Sequence, residues 1–168
     1  ERATRIAMHL KDFEQGLRAS RRWVELAPNA LPARHLSGVL LLRQGETEDA
    51  LKQFEAAVKI ADALGKHGML QVATALSTEE DHAAVQQVMQ ALVKQHSDQA
   101  NAHYALAVVD VAQKRLAEAV NALGEAIRLR PEWDLPRVMR SRVLVSQGDV
   151  DQALQHMAEA VAQYPDSR

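Results

Sequence analysis

An all-α fold of stacked antiparallel helix hairpins is what this 168-residue chain predicts, on three observations. Ala, Leu, Val and Gln dominate, only 4% of residues are aromatic and prolines number five, which is a helix-forming composition. The chain repeats itself at a spacing of 34 residues. Glycine, proline and aspartate then fall at the edges of the helices that this spacing implies. Hydrophobic residues at 47% and charged ones at 25% give the balance of a folded protein, and the length suffices for one ordinary core.

The repeat is visible by direct comparison. Ala50-Leu51-Lys52-Gln53-Phe54-Glu55-Ala56-Ala57 becomes Ala153-Leu154-Gln155-His156-Met157-Ala158-Glu159-Ala160 when 103 is added to each number, and the same offset carries Gln44-Gly45 onto Gln147-Gly148 and Pro28 onto Pro131. A shift of 34 carries Pro131 onto Pro165, and Ala119, Leu123 and Ala126 onto Ala153, Met157 and Ala160. Three periods of 34 fall one short of 103, so one residue has been inserted between them. Positions i, i+4 and i+7 share one helix face. The small residues Ala50 and Ala57 let a paired helix approach, while Phe54 fills the gap between layers; Met89, Leu123 and Met157 take its place elsewhere.

Ten helices follow, near 1–10, 14–27, 31–43, 47–62, 67–77, 79–95, 100–113, 116–129, 134–146 and 150–163. Asp12 and Asp149 precede second helices, each with Gln three residues on at Gln15 or Gln152, a capping-box spacing. Gly45 and Gly148 occupy short turns, and Pro28, Pro131 and Pro165 follow second helices, where proline ends a helix without breaking one.

This pattern resembles the tetratricopeptide repeat, with repeats at 31–64, 66–99, 100–133 and 134–167 after a truncated one over 1–30 that has Gly16, Ser20, Trp23 and Pro28 in the matching slots. The resemblance implies an all-α solenoid, a right-handed superhelix of antiparallel hairpins in a single array, each hairpin stabilised by its neighbours. It also implies a protein-binding scaffold or adaptor whose first helices line a concave groove. The fifth, ninth and twelfth positions of each repeat carry over to Arg5 and Met8, to His35, Val39 and Leu42, and to Leu70, Thr74 and Ser77. In the last two repeats they are Tyr104, Val108 and Val111, then Val138, Arg142 and Val145. This face is apolar for a solvated surface; the other reading is a register off by one, with these valines in the core. No Lys/Asn pair four apart occurs at these positions, so a clamp for a C-terminal carboxylate is not expected.

The repeat at 66–99 fits least well. Val85 and Leu92 stand where small residues are expected, and Glu80 replaces the turn glycine. Asp62 stands where the preceding repeat should have proline, with Gly65 and Gly68 nearby, and the inserted residue belongs here. A hinge and neutral drift are both open; drift is the simpler. Either way the joint at 62–68 should differ from the one at 130–134. Both ends are irregular too, as expected of a piece of a longer protein. Val150, Leu154 and Val161 form a stripe through which helix 150–163 could self-associate, the alternative to a binding role.

Five arginines gather at Arg128, Arg130, Arg137, Arg140 and Arg142, a solvated basic face beside Glu132 and Asp134 or a ligand site, since guanidinium suits planar contact with carboxylates. A formal charge of −2 gives no bias toward nucleic acid, and zero cysteines exclude disulfides and thiolate metal sites. The seven histidines lack metal or catalytic spacing, and no phosphate loop or nucleophile elbow occurs. Glu79-Glu80-Asp81 reads as acids favoured in a helix's first turn, and Trp23 and Trp133 as packing at repeat junctions. No enzyme, cofactor, metal, nucleic acid or membrane span is therefore expected, and the partner is a protein or peptide. The opening Arg2-Ala3-Thr4-Arg5-Ile6-Ala7 and the phrase Trp23-Val24-Glu25-Leu26-Ala27-Pro28 resemble Gram-negative envelope members of the family, some of them outer-membrane lipoproteins that deliver substrates to a periplasmic processing protease. That resemblance implies a periplasmic or membrane-anchored adaptor.

Overall fold

Glycine and proline set many of the helix ends, and among the described residues the ends fall within a residue of expectation in all the helices but one. The computed structural model describes Arg2 and residues 12–163, the side chains of 159–163 excepted. Among them are nine α-helices and no strand: α1 Phe13–Leu26, α2 Leu31–Arg43, α3 Thr47–Ala63, α4 Gly68–Leu76, α5 His82–Gln95, α6 Ala100–Ala112, α7 Leu116–Leu129, α8 Asp134–Gln147 and α9 Val150–Gln163. The helix expected over 1–10 lies outside the described residues, as do Arg5 and Met8.

Asp12 caps α1 as its spacing predicts, its side chain accepting from the Gln15 amide at 3.0 Å. Four turns share one hydrogen-bond pattern. After α2 the Glu46 amide donates to the Leu41 carbonyl and Gly45 to Leu42, with Gly45 at φ 79°. The turns at Gly65 (φ 68°) and Gly148 (φ 89°) repeat it. After α6 the same bonds run from Arg115 to Asp110 and from Lys114 to Val111, but the left-handed residue is Lys114, at φ 61°. This is the Schellman closure, which favours glycine for want of a Cβ.

The start of α5 is the clear departure. The acids at 79–81 precede the helix instead of entering its first turn. Asp81 caps it, accepting from the Ala84 amide at 3.0 Å. Glu79 is drawn away to Arg43, and α4 is cut to 9 residues.

The chain divides into two compact units, residues 1–92 and 93–168. In the first, α2 packs against α1, α3 and α4. Phe54 of α3 seats its ring on Gly38 of α2, so closely that a Cβ there would lie 2.7 Å from the ring. Ala50, Phe54 and Ala57 are all fully buried. At the positions equivalent to Gly38 and Phe54 the other repeats have Ala73 and Met89, Ala107 and Leu123, Ser141 and Met157. The largest side chain thus stands opposite the residue with none.

The joint after α3 differs from its counterparts, as expected. Before α2 and α8 the chain turns at Pro28 and Pro131, each helix ending on an amide bonded four residues back, Ala27 to Trp23 and Arg130 to Ala126. Here α3 runs to 17 residues and closes on Gly65. Asp62 then accepts from the Gly68 amide at 3.0 Å. A Cβ on Gly68 would meet the Val58 backbone at 2.7 Å, so α4 begins in direct backbone contact with α3.

In the second unit α6, α7, α8 and α9 pack each against the next. Ala107, Ala119, Ala122, Leu123 and Val143 form the core, flanked by Tyr104, Leu106, Val111, Leu116, Val120 and Met139. Met157 departs from Phe54's role: it is 39% exposed, like Val150 at 47% and Leu154 at 63%, no helix among the described residues covering this face. The side chain of Val161 lies outside the described residues.

Candidate functional site

Two clefts are candidates, one in each unit. In the first unit a cleft of about 480 Å³ is lined by Phe13, Leu42, Arg43, Thr78, Glu79, Glu80 and Asp81. Arg43 dominates it. Its guanidinium donates to both oxygens of Glu79, from Nε at 2.6 Å and Nη2 at 2.9 Å, and lies 5.0 Å from the centroid of the Phe13 ring. The Glu79 carboxylate is buried, and its hydrogen bond to Arg43 holds the guanidinium above its usual pKa. Arg43 and Glu79 satisfy each other, which is a structural tie more than an open binding group. Sequence reading missed it because the partners are 36 residues apart.

The groove positions expected in this unit do not share a surface. Val39 and Leu42 depart from expectation: they are 6% and 2% exposed, because α2 lies among three helices and buries more than one face. His35 is half-buried, its Nε2 enclosed without a hydrogen-bond partner, and burial pushes the imidazole below the ordinary histidine range. Leu70 is half-buried, and the Thr74 and Ser77 hydroxyls donate to the Leu70 and Thr74 carbonyls at 2.8 and 2.9 Å.

The second unit does gather its expected residues. A cleft of about 520 Å³ is lined by Tyr104 and Val111 of α6, Leu116 of α7, and Leu135, Val138, Met139, Arg142, Val143 and Ser146 of α8. Four of these were expected from the repeat positions: Tyr104, Val111, Val138 and Arg142. Val108 is half-buried and Val145 is 52% exposed, and neither is among the lining residues. Tyr104, Val111 and Met139 also pack on the core, so both readings of the register hold in part: these side chains are core on one side and cleft wall on the other. Leu135, Met139, Val143 and Ser146 were not anticipated, although with Val138 and Arg142 they make one helical stripe, visible in the sequence. The volume lies within the range of small-ligand and side-chain pockets.

Tyr104 is braced by Trp133, the residue before α8, with ring centroids 4.9 Å apart and planes at 54°. Arg130 lies 5.3 Å over the Trp133 ring. Among the other arginines of the cluster, Arg128 pairs with Glu125 at 2.9 Å and Arg137 with Asp134 at 3.7 Å. Arg140 is engaged as well. Arg142 is exposed and meets no hydrogen-bond or ion-pair partner among the described residues. The Ser146 hydroxyl donates to the Val143 carbonyl at 2.6 Å, leaving Arg142 and the Tyr104 hydroxyl as the polar groups the lining offers. The cleft can therefore bury apolar side chains and hold one anionic group. Among the described residues no group of three or more His, Cys, Asp or Glu could hold a metal ion, and no helix is long and apolar enough to cross a membrane.

Two models described as tetratricopeptide repeat match residues 73–132 and 138–167, together more than half of the chain. A TPR repeat-containing protein of Pseudomonas aeruginosa is 28% identical over 170 residues, taking in 100% of this chain. The chain spans 28% of that relative's length. Among solved structures, MamA of Desulfovibrio magneticus is similar with a TM-score of 0.54 at 17% identity, covering 98% of this chain and 93% of its own. A second structure, YrrB, described as a TPR protein with an unusual peptide-binding site, gives 0.52 at 16% identity and covers 97% of this chain and 84% of its own. At these identities the likeness is one of fold.

Proposed function

Because the chain belongs to the tetratricopeptide repeat family, we propose that it is a protein-interaction scaffold whose second unit holds a segment of a partner polypeptide in the cleft between Tyr104 and Arg142. One observation carries this: four residues at repeat positions that the family turns toward its ligands surround one apolar cleft, and its single cation is unpaired among the described residues. Leu135, 56% exposed at the rim, offers apolar surface that an occupant would remove from water. Each apolar anchor buried there contributes roughly 1.5–3 kcal/mol before the cost of ordering the partner. Arg142 then fixes orientation and contributes to the rate of encounter. The peptide-binding site of YrrB supports the reading at the level of fold.

A displayed peptide library selected on the protein tests it. Peptides with an apolar residue near an acid should be enriched, and Leu135→Asp and Arg142→Glu should each abolish their capture with thermal midpoints unchanged. If both variants stay folded and capture the same peptides, the cleft is not the site.

A second reading rests on α9, where Val150, Leu154 and Met157 leave an apolar face exposed. On this reading the chain associates with further copies of itself, and sedimentation velocity should show a concentration-dependent shift that Leu154→Lys removes. The sequence likeness to envelope adaptors extends the proposal to a periplasmic or membrane-anchored location, which fractionation of cells bearing the full-length protein checks.

A further inference from the structure

The residue immediately before the first helix of each hairpin is Ala30 at α2, His67 at α4, Gln99 at α6 and Trp133 at α8. Trp133 is the largest of the four, and it meets the ring of Tyr104 in the preceding first helix, centroids 4.9 Å apart and planes at 54°. Tyr104 lines the second-unit cleft and Trp133 does not. Trp133 is itself held in place. Its amide donates to the Arg130 carbonyl at 3.1 Å across the Pro131 turn, and the Arg130 guanidinium lies 5.3 Å from its ring centroid. Tyr104 packs with the core around Leu123, and among the described residues no hydrogen bond holds its hydroxyl. A ring without a tether at its hydroxyl takes its direction from what packs against it, here the core and the indole.

We propose that Trp133 is a specificity-determining residue of the cleft: by fixing the Tyr104 ring it sets the size of the apolar side chain that the cleft accepts. This deepens the proposed peptide-binding role and rests on it. Trp133 acts through Tyr104 and is a positioning residue. Tyr104 is the wall on α6, and Val138 and Met139 belong to the wall on α8. With the indole gone, the Tyr104 ring turns into the vacated space and the cleft widens on that side. A bulkier anchor then makes contacts that leucine cannot reach, while leucine loses a close neighbour. The acid that Arg142 receives is unaffected, so the change falls on the anchor alone.

The probes are four fluorescein-labelled peptides, Ser-Asp-Xaa-Ser amides with Val, Leu, Phe or Trp at Xaa, titrated by anisotropy. Trp133→Ala should move the ratio of affinities from the leucine peptide toward the tryptophan peptide by about two- to tenfold. Trp133→Leu, which keeps the burial but loses the flat ring, should move it part of the way, and Trp133→Phe should retain the wild-type ratio. In a Tyr104→Ala background, Trp133→Ala should add nothing, because the wall it positions is already gone. If Trp133→Ala and Trp133→Leu weaken all four peptides by one common factor, Trp133 is structural only, and this inference falls while the peptide-binding reading stands. A shift of full size in the Tyr104→Ala background overturns it as well. If none of the four peptides binds wild type at millimolar concentration, both proposals fall.

Discussion

Replacing Gly38 by alanine isolates the contact on which the first unit's packing turns. In an exposed helix the change gains about 1 kcal/mol, since alanine is the better helix former. Here the new methyl would lie 2.7 Å from Cζ and 2.8 Å from Cε1 of Phe54, where carbons in contact prefer about 3.5–4.0 Å. The ring is 0% exposed and has nowhere to withdraw. Overpacking of this kind costs about 1–3 kcal/mol, so the expected gain of Gly38→Ala should be cancelled or reversed, by up to about 2 kcal/mol on balance. Phe54→Leu alone should cost about 1–2 kcal/mol through the space it leaves. Combined, the two changes reproduce the Ala107 and Leu123 pair of the second unit, both fully buried. The double variant should therefore be no worse than Phe54→Leu alone, with a coupling energy of about 1–3 kcal/mol. Urea and thermal unfolding followed by circular dichroism measure all four proteins, and each kcal/mol should move the midpoint by about 2–4 °C. Additive losses in the double variant would refute the notch-and-ring account.

Three further predictions rest on single contacts. Arg43→Met strands the buried Glu79 carboxylate and should cost about 2–3 kcal/mol, less than a fully buried pair because the guanidinium is one-third exposed; adding Glu79→Gln should recover most of it, and no recovery in urea unfolding counts against the tie. Lys114→Gly relieves the left-handed φ of 61° and should raise the thermal midpoint by a few degrees, whereas Gly148→Ala, at φ 89°, should lower it; equal and opposite signs to these would show the turns are not strained. His35 is held below the ordinary value of 6.5, so it stays neutral in the folded state while the unfolded chain takes up a proton as pH falls past 6.5. Its contribution is complete above that pH and lost below it, so between pH 7.5 and 5.5 wild type should lose midpoint faster than His35→Leu; parallel slopes would refute this.

Helix positions were legible because they depend on local chemistry. Asp12, Gly45, Gly148, Pro28 and Pro131 act within a few residues of themselves, and each helix end they mark was placed correctly. The start of α5 was not legible, since Glu79 is held by an arginine 36 residues away and no neighbour announces it. Lys114 was missed for the opposite reason: a turn whose bonds are satisfied tolerates a left-handed lysine, and residue type alone does not reveal it. The cleft was half legible. Repeat positions pointed to Tyr104, Val111, Val138 and Arg142, but the same rule placed Val39 and Leu42 on a surface. Family position tells which side of a helix faces the ligand in general; how many neighbours α2 has decides whether that side is free, and only packing shows it.

The joint after α3 has a consequence for how the chain handles changes in length. An extra residue in a repeat ordinarily shifts every later contact, yet the helices beginning at Ala100 and Asp134 keep their spacing of 34. The surplus is taken up between Asp62 and Gly68, where Gly65 reverses the chain, Lys66 and His67 stand exposed, and the Asp62 carboxylate fastens the new helix start. The segment behaves as a splice, containing an error of length where it arises. An engineered epitope or protease site placed between Gly65 and Lys66 meets no packed neighbour on the way in, while the same residues placed at Pro131 would have to be absorbed by the stack of Trp133 on Tyr104.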